Sequence, residues 1–406
     1  SVGNHIFGLL FMIFRLIGAG VSVVVAQNLG ARQREEADRV ACAGLAASTW
    51  MGGAMGVLAL TQAHTLLRCL NVPADVLPLA TPLLQALAPV LILDAWNACM
   101  ASVLRAHFKT RETLWVTMAM HLVHLALVWP LMQGVGGFAG WGLTGFAVAL
   151  GLSRVAGLVL LMWRWRRSLG LRPVAADWWR WKTAQLAPVL HIGVPGAAEN
   201  LSWEIAFMAS VAAVGVMGAQ ALATQAYVLQ FNMWILISAA AVGLTMEMVV
   251  GHLVGAGRFK NAFELVRRAQ KFAFALSLLV ALLMAWQGPE LMRLFTQDAD
   301  IVAAGAQLLW LSIALETGRT FNLIVIAALR ATGDSRFPLW VGMVSMPVVM
   351  AGGSWWLGIY CGWGLKGVWI AYAADEWLRG LIMWHRWLSQ GWVARARATH
   401  RRMKLA

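Results

Sequence analysis

Apolar runs of about twenty residues, each long enough to cross the hydrocarbon core of a bilayer as a helix, recur along the chain with short polar connections between them. They fall at 5–27, 40–66, 80–103, 114–133, 142–163, 189–213, 224–250, 272–288, 301–327, 338–359 and 364–388. The pattern predicts an all-α polytopic membrane protein with eleven visible transmembrane helices, the one at 272–288 the shortest. Gly recurs inside many spans and Pro interrupts several, as helices packed closely in lipid tolerate. Composition agrees: 60% of the 406 residues are hydrophobic and 12% charged, more apolar than a soluble domain of this size needs.

A net charge of +14 would suit a nucleic-acid partner if the basic residues formed one patch, so their placement decides its meaning. Lys and Arg gather in alternate connections: three at 30–39, three at 105–111, six at 164–182, five at 258–271, two at 330–336 and six at 386–404. The opposite connections hold only Arg68, Arg293 and Lys366, while Arg15, Arg154, Arg319 and Arg379 lie within spans. By the positive-inside rule the basic side is cytoplasmic, with the carboxyl terminus there and Ser1 on the outer side. The basicity is topological and no nucleic-acid partner is expected. Cys42 and Cys99 sit in spans and Cys69 and Cys361 near outer ends; without metal or redox spacing they read as unpaired small residues.

The chain also repeats itself. Residues 23–37 match 248–262 at an offset of 225, and Leu104-Arg-Ala-His-Phe-Lys-Thr-Arg-Glu-Thr-Leu-Trp115 matches Leu329-Arg-Ala-Thr-Gly-Asp-Ser-Arg-Phe-Pro-Leu-Trp340 at the same offset, with Asn97 on Asn322. Trp141-Gly-Leu-Thr-Gly145 matches Trp363-Gly-Leu-Lys-Gly367 at 222. Three matches in order indicate a duplication. The second half has a span, 189–213, that the first half lacks, so twelve helices are inferred, as two parallel six-helix bundles related by pseudo-two-fold symmetry, with the first helix missing here. The expected organisation is an amino-terminal lobe at 1–163, a cytoplasmic linker at 164–187 whose Trp and Arg form an interfacial anchor, a carboxyl-terminal lobe at 188–390 and a basic cytoplasmic tail at 391–406.

Gln27-Asn-Leu-Gly-Ala31 ahead of a charged amphipathic helix, Gly251-His-Leu-Val-Gly-Ala-Gly257, and Leu329-Arg-Ala-Thr-Gly-Asp-Ser-Arg336 together resemble the multidrug and toxic compound extrusion (MATE) transporters. Gly193-Val-Pro-Gly-Ala-Ala-Glu-Asn200, Leu315-Glu-Thr-Gly-Arg-Thr-Phe-Asn322 and Asp375-Glu-Trp-Leu-Arg-Gly380 are similar to one bacterial branch of that family. The resemblance covers essentially the whole chain. It implies a monomeric antiporter of the bacterial inner membrane, not an enzyme, that needs no cofactor. Such a protein exports amphipathic, cationic or flat aromatic small molecules in exchange for H+ or Na+ by alternating access between two lobes. The chain departs from the family in lacking the first helix, which in many members carries an acidic residue, and in having His107-Phe-Lys where the second half has Thr332-Gly-Asp.

Charges within spans carry the chemistry. Each ionised side chain costs about 2.5–3.5 kcal/mol at a helix centre, so such groups face partners or a wet cavity. Seven acids lie there: Asp94, Glu199, Glu204, Glu247, Glu316, Asp375 and Glu376. An antiporter needs a carboxylate that a coupling ion or a cationic substrate neutralises in turn, and burial favours the neutral form enough to allow it. Glu204 is the first candidate, near mid-span with no Arg or Lys within a turn, at a position that matches an acidic site in the carboxyl-terminal lobe of several relatives; the competing reading is a protonated Glu bonded between helices. Glu199 lies near Pro195-Gly196, where a broken helix would free carbonyls for a cation, so Glu199 and Glu204 are the place for a Na+. They lie about 140° apart on an ideal helix and meet only if it is distorted. Glu316 and Arg319 share a face, as do Glu376 and Arg379, and Asp375 reaches Arg379 at a spacing of four; such pairs also serve simply to neutralise one another. Glu316 and Asp94 join Glu204 and Glu199 as candidate coupling or substrate residues; Asp94, three before Asn97, stands where the second half has Arg319, three before Asn322. These opposite charges either pair across the lobes or give the lobes different work. Arg330 and Arg336 serve topology first; in the alternative reading they pin the Gly333-Asp334 turn as a cytoplasmic latch.

Other readings are a carrier of the major facilitator type, a flippase of lipid-linked sugars within the same superfamily, and an inactive truncated fragment. The 30–39 loop lacks the motif of the first, an acidic residue followed by Gly and paired basic residues, and seven span acids against four bases disfavour the second, which would line its cavity with Arg.

Overall fold

The computed structural model describes residues 17–69, 74–135 and 139–405, all helical or connecting, with no strand among them. Arg15 and the span that begins at 5 lie largely outside the described residues, as does the side chain of Cys69; Cys361 is exposed and free. The chain divides into two compact units, one of residues up to Leu29 with Gln33–Val194, the other of Gly30–Arg32 with Pro195–Ala406.

In the first unit α1 (Ile17–Gly30), α2 (Arg34–Thr61), the short α3 (Ala63–Cys69), α4 (Leu77–Ala106), α5 (Thr110–Gln133) and α6 (Gly142–Arg164) follow in order. α2, α4, α5 and α6 are long and apolar enough to span a bilayer. The core joins valines of α1 to Ala, Val and Leu of α2 and the Cys99–Leu104 stretch of α4. α5 buries only Thr113 and Val116, so its apolar surface suits lipid. α6 runs on through a π turn, Trp165–Leu169, which ends where Gly170 adopts φ +74°. Buried Trp165 donates to the Met100 carbonyl at 3.0 Å, and Arg34 donates to the Leu169 carbonyl at 2.8 Å.

The connection after α6 is folded against the bundle. Trp178 packs edge-on against Trp96 of α4 with centroids 4.9 Å apart, and Trp50 of α2 donates to the Trp179 carbonyl at 2.9 Å. Asp177 closes the turn by accepting from Lys182 at 2.9 Å and from the Val174 N–H at 3.1 Å. Burial alone would push its carboxyl up, but those donors hold it below the usual carboxylate range.

The second unit holds α7 (Thr183–Val216) from Pro195 onwards, α8 (Ala219–Gly255), α9 (Phe259–Trp286), the short α10 (Gly288–Arg293), α11 (Ala299–Thr332), α12 (Arg336–Ser345), α13 (Gly364–Leu388) and α14 (Val393–Leu405). α11 is its axis, packing on α8, α9 and α13. The Asp298 carboxylate caps its start by accepting from the N–H groups of Asp300 and Ile301 at 3.0 and 3.2 Å. Gly333 ends it at φ +89°, which lets the Asp334 N–H return to the Leu329 carbonyl at 3.0 Å. After Ser345, α12 continues as two π-helical stretches, Met346–Gly352 and Ser354–Tyr360; Pro347, which has no N–H to give, sits at the start of the first.

Eight described helices are long and apolar enough to span. Each of the eleven predicted windows falls at least in part on a helix, but α13 carries Lys366, Asp375, Glu376 and Arg379, which lower its hydropathy. Three expectations need correction. The span at 272–288 is not short: α9 begins at Phe259, because Ala262, Val266, Gln270, Ala273, Ser277, Ala281 and Ala285 make one continuous seam of mostly small residues through its basic first half. α7 is not broken at Pro195-Gly196, where the Asn200 amide takes up the Gly196 carbonyl at 2.8 Å. Asp334 is paired with Arg386 of α13 at 3.0 Å, and not pinned by Arg330 and Arg336.

α14 closes the ends of two long helices. His400 Nδ1 lies 2.9 Å from the Gly255 carbonyl at the end of α8, and Thr399 donates to the Thr332 carbonyl of α11 at 3.4 Å. The helix is anchored by Trp392, fully buried and stacked on Trp387 at 4.4 Å. Trp392→Ala is expected to cost about 3–5 kcal/mol and to lower the melting temperature in detergent; an unchanged melting curve would remove α14 from the folded unit.

Candidate functional site

Close approach of α11 and α13 builds the site. A Cβ on Gly318 would stand 2.7 Å from the Trp377 ring, and one on Gly380 would stand 2.8 Å from Phe321 Cβ and 3.2 Å from the Gly318 carbonyl. Only hydrogen at these two positions lets the helices meet at this distance. Glu316, Arg319 and Asn322, three apart along α11, then face Asp375, Glu376 and Arg379 of α13.

The charges form a chain. Arg319 Nη1 lies 2.7 Å from Glu316 Oε1, and its Nε 3.2 Å from Glu376 Oε1. Glu376 Oε2 accepts from Asn322 at 2.6 Å and lies 3.1 Å from Arg379 Nη2. Arg379 Nε donates to Asp375 Oδ2 at 2.8 Å, and Ser345 of α12 donates to Asp375 Oδ1 at 2.6 Å. Three carboxylates thus share two guanidiniums, so the fully ionised chain carries one net negative charge in a buried place. Glu376, between both arginines, is its centre.

Glu199 stands beside this chain. It is 7% exposed, makes no hydrogen bond or ion pair among the described residues, and lies within reach of the charges of Arg330, Arg379 and Glu376. Its Cγ would be 3.4 Å from a Cβ on Gly342 of α12. Glu204 is half-buried, also without a hydrogen bond or ion pair among the described residues, and nothing brings it to the chain. Next to it Trp203 and Phe207 stack at 5.1 Å, with Tyr372 6.2 Å from Phe207. Glu247 is buried on α8. Among the described residues no three His, Cys, Asp or Glu gather as a metal site.

In the first unit Asp94 of α4 pairs with Arg154 of α6. Asn97 donates to the Arg154 carbonyl and to the Leu93 carbonyl, both at 2.9 Å. Asp94 and Arg319 therefore each find their partners within their own unit. The residues that sequence reasoning left aside are Arg154 and Ser345. For Arg154 a signal existed: at the 222-residue offset of the repeat it falls on Glu376.

A family model described as MatE matches residues 1–129 and 195–356. The chain belongs to the MATE family. It is 31% identical over 398 residues, 98% of this chain and 88% of the relative, to the uncharacterized transporter YisQ of Bacillus subtilis (strain 168). It is 28% identical over 373 residues, 87% of this chain and 77% of the relative, to the probable multidrug resistance protein NorM of Bradyrhizobium diazoefficiens. The crystal structure of MATE in the bent conformation superposes with a TM-score of 0.87 at 19% identity, covering 97% of this chain and 87% of that one, which establishes the all-α MATE fold. As a MATE protein the chain is a multi-pass membrane transporter of the secondary class and not an enzyme.

Proposed function

We propose that this MATE protein exports amphipathic, cationic or flat aromatic compounds across the bacterial inner membrane in exchange for H+ or Na+, working as a monomer by alternating access. In this reading the lobes are residues 1–163 and 188–390, the 164–187 connection joins them, and the 391–406 tail is cytoplasmic. The observation that carries the proposal is the buried excess of carboxylate in the second unit: a three-acid, two-base chain with a further buried carboxylate, Glu199, beside it and unbonded. Such a centre binds one small cation favourably and releases it when another positive charge arrives. Glu199 is assigned to the coupling ion, with Glu316 and Asp375 at the ends of the chain. Glu204, beside the Trp203–Phe207 stack, is assigned to the substrate, since an aromatic face next to a carboxylate suits a flat cation. Relatives named as probable multidrug resistance proteins support this substrate class. A flippase of anionic lipid-linked sugars fits less well, because Arg154, Arg319 and Arg379 each stand against a carboxylate.

The test is efflux of a cationic dye driven by a proton or sodium gradient. Glu199→Gln is expected to reduce driven efflux at least roughly tenfold while dye binding persists, and Glu204→Gln to weaken dye binding. Unchanged efflux in both variants would sink the assignment.

A further inference from the structure

The register of the repeat can be carried along α6 and α13. At the 222-residue offset the fully buried Trp165 falls on the fully buried Trp387. Gly145 falls on Gly367, and a Cβ at either would strike the backbone of the preceding helix, at 2.1 Å from the Leu131 carbonyl oxygen and 2.6 Å from the Leu357 carbonyl carbon. In the same register Arg154 falls on Glu376, while the 225-residue offset puts Asp94 on Arg319 and Asn97 on Asn322.

The contacts repeat with the positions. In the first unit Asp94 meets Arg154 and Asn97 donates to the Arg154 carbonyl at 2.9 Å. In the second Arg319 meets Glu376 and Asn322 donates to the Glu376 carbonyl at 2.8 Å. The Oδ1 atoms of both asparagines are buried without a hydrogen-bond partner among the described residues. The two devices are one construction with the charges exchanged.

Their surroundings differ. Where the second unit has Glu316, Asp375 and Arg379, the first has Leu91, Ser153 and Gly157 in register. Ser153 donates to the Leu150 carbonyl of its own helix. A Cβ on Gly157 would stand 2.9 Å from the sulfur of Met120 and 3.2 Å from Asn97 Oδ1, so no arginine fits there. The first pair is neutral, with no further charge at the register positions that extend the second and with His124 as the titratable group near Arg154; the second is extended at both ends by further charges.

We propose that Asn97 with Asp94–Arg154 and Asn322 with Arg319–Glu376 are duplicated interhelical clasps. The first is a positioning clasp indifferent to which helix carries which charge. The second is the same clasp committed to one polarity by Glu316 and Arg379, and through them joined to ion coupling. The last step rests on the proposed antiport; the clasp itself does not.

Grafting each pair into the other unit separates the claims. Asp94→Arg with Arg154→Glu installs the second unit's pair in the first. Each single change is expected to lower the melting temperature by roughly 10 °C by leaving a buried charge facing its like, and the double change to recover most of that loss with the pH profile of transport unmoved. Arg319→Asp with Glu376→Arg is expected to remain as destabilised as its singles and to flatten the pH profile, because the carboxylate at 319 then meets Glu316 and the guanidinium at 376 meets Arg379. Asn97→Ala supplies a reading independent of charge: a lower melting temperature with an unmoved pH profile. A first-unit double variant that is unfolded or no more stable than its singles overturns the proposal. So does a second-unit double variant that regains wild-type stability, or an Asn97→Ala protein that melts unchanged. A wild-type protein that exchanges no cation removes the antiport reading alone, since the melting temperatures still judge the clasps.

Discussion

Glu376→Ala is expected to be the most damaging single substitution in this protein. One carboxylate holds Arg319 at 3.2 Å, Arg379 at 3.1 Å and Asn322 at 2.6 Å, so its loss leaves Glu316 and Asp375 to hold one guanidinium each and takes away the group that ties the two arginines together. Removing one partner of a buried ion pair costs about 3–5 kcal/mol, chiefly because the remaining charge is left desolvated. The check is thermal melting of the purified protein beside a transport assay, and the expected outcome is a melting temperature lower by well over 5 °C with transport lost. Glu376→Gln should fall between, since an amide oxygen still accepts from Asn322 but carries no charge for the arginines. A Glu376→Ala protein that melts like the wild type would mean that water or lipid headgroups already solvate both arginines.

Glu316→Gln should separate stability from coupling. Glu316 is 2% exposed and among the described residues pairs only with Arg319, which keeps Glu376 as a second acceptor, so the fold loses less than at 376. The substitution also leaves two carboxylates against two guanidiniums, a neutral chain beside Glu199 that no longer adds to its hold on a coupling cation. Gradient-driven efflux should fall by more than about tenfold, with dye binding and melting temperature near wild type. Efflux that persists would mean that Glu199 couples without help from the charge of the chain.

Much of this was legible in the sequence and some was not, for definable reasons. The spans were legible because twenty apolar residues in a row have one physical use. The pairs Glu316–Arg319, Glu376–Arg379 and Asp375–Arg379 were legible because spacings of three and four put side chains on one face. Partners on other helices were not: Arg319 with Glu376, Arg386 with Asp334 and Ser345 with Asp375 depend on which helices touch and at what height. Gly318 and Gly380 decide the first of these, and a glycine in a span does not announce its neighbour. The expected break at Pro195-Gly196 failed because a proline removes a single N–H from a helix, and α7 runs on through it from Thr183 to Val216. Glu204 looked strongest for lacking a charged neighbour in sequence, yet Glu199, five residues earlier, is the one buried beside the charged chain.

The central claim is that binding of a cationic compound beside Glu204 discharges the coupling ion from the buried excess of negative charge. It is tested most directly by adding a cationic dye to the purified, unbuffered protein preloaded with H+ or Na+, and measuring how much ion is released for each dye bound. The account predicts close to one ion per dye in the wild type and almost none in Glu199→Gln or Glu316→Gln. Dye binding by the wild type that releases neither H+ nor Na+ would contradict it.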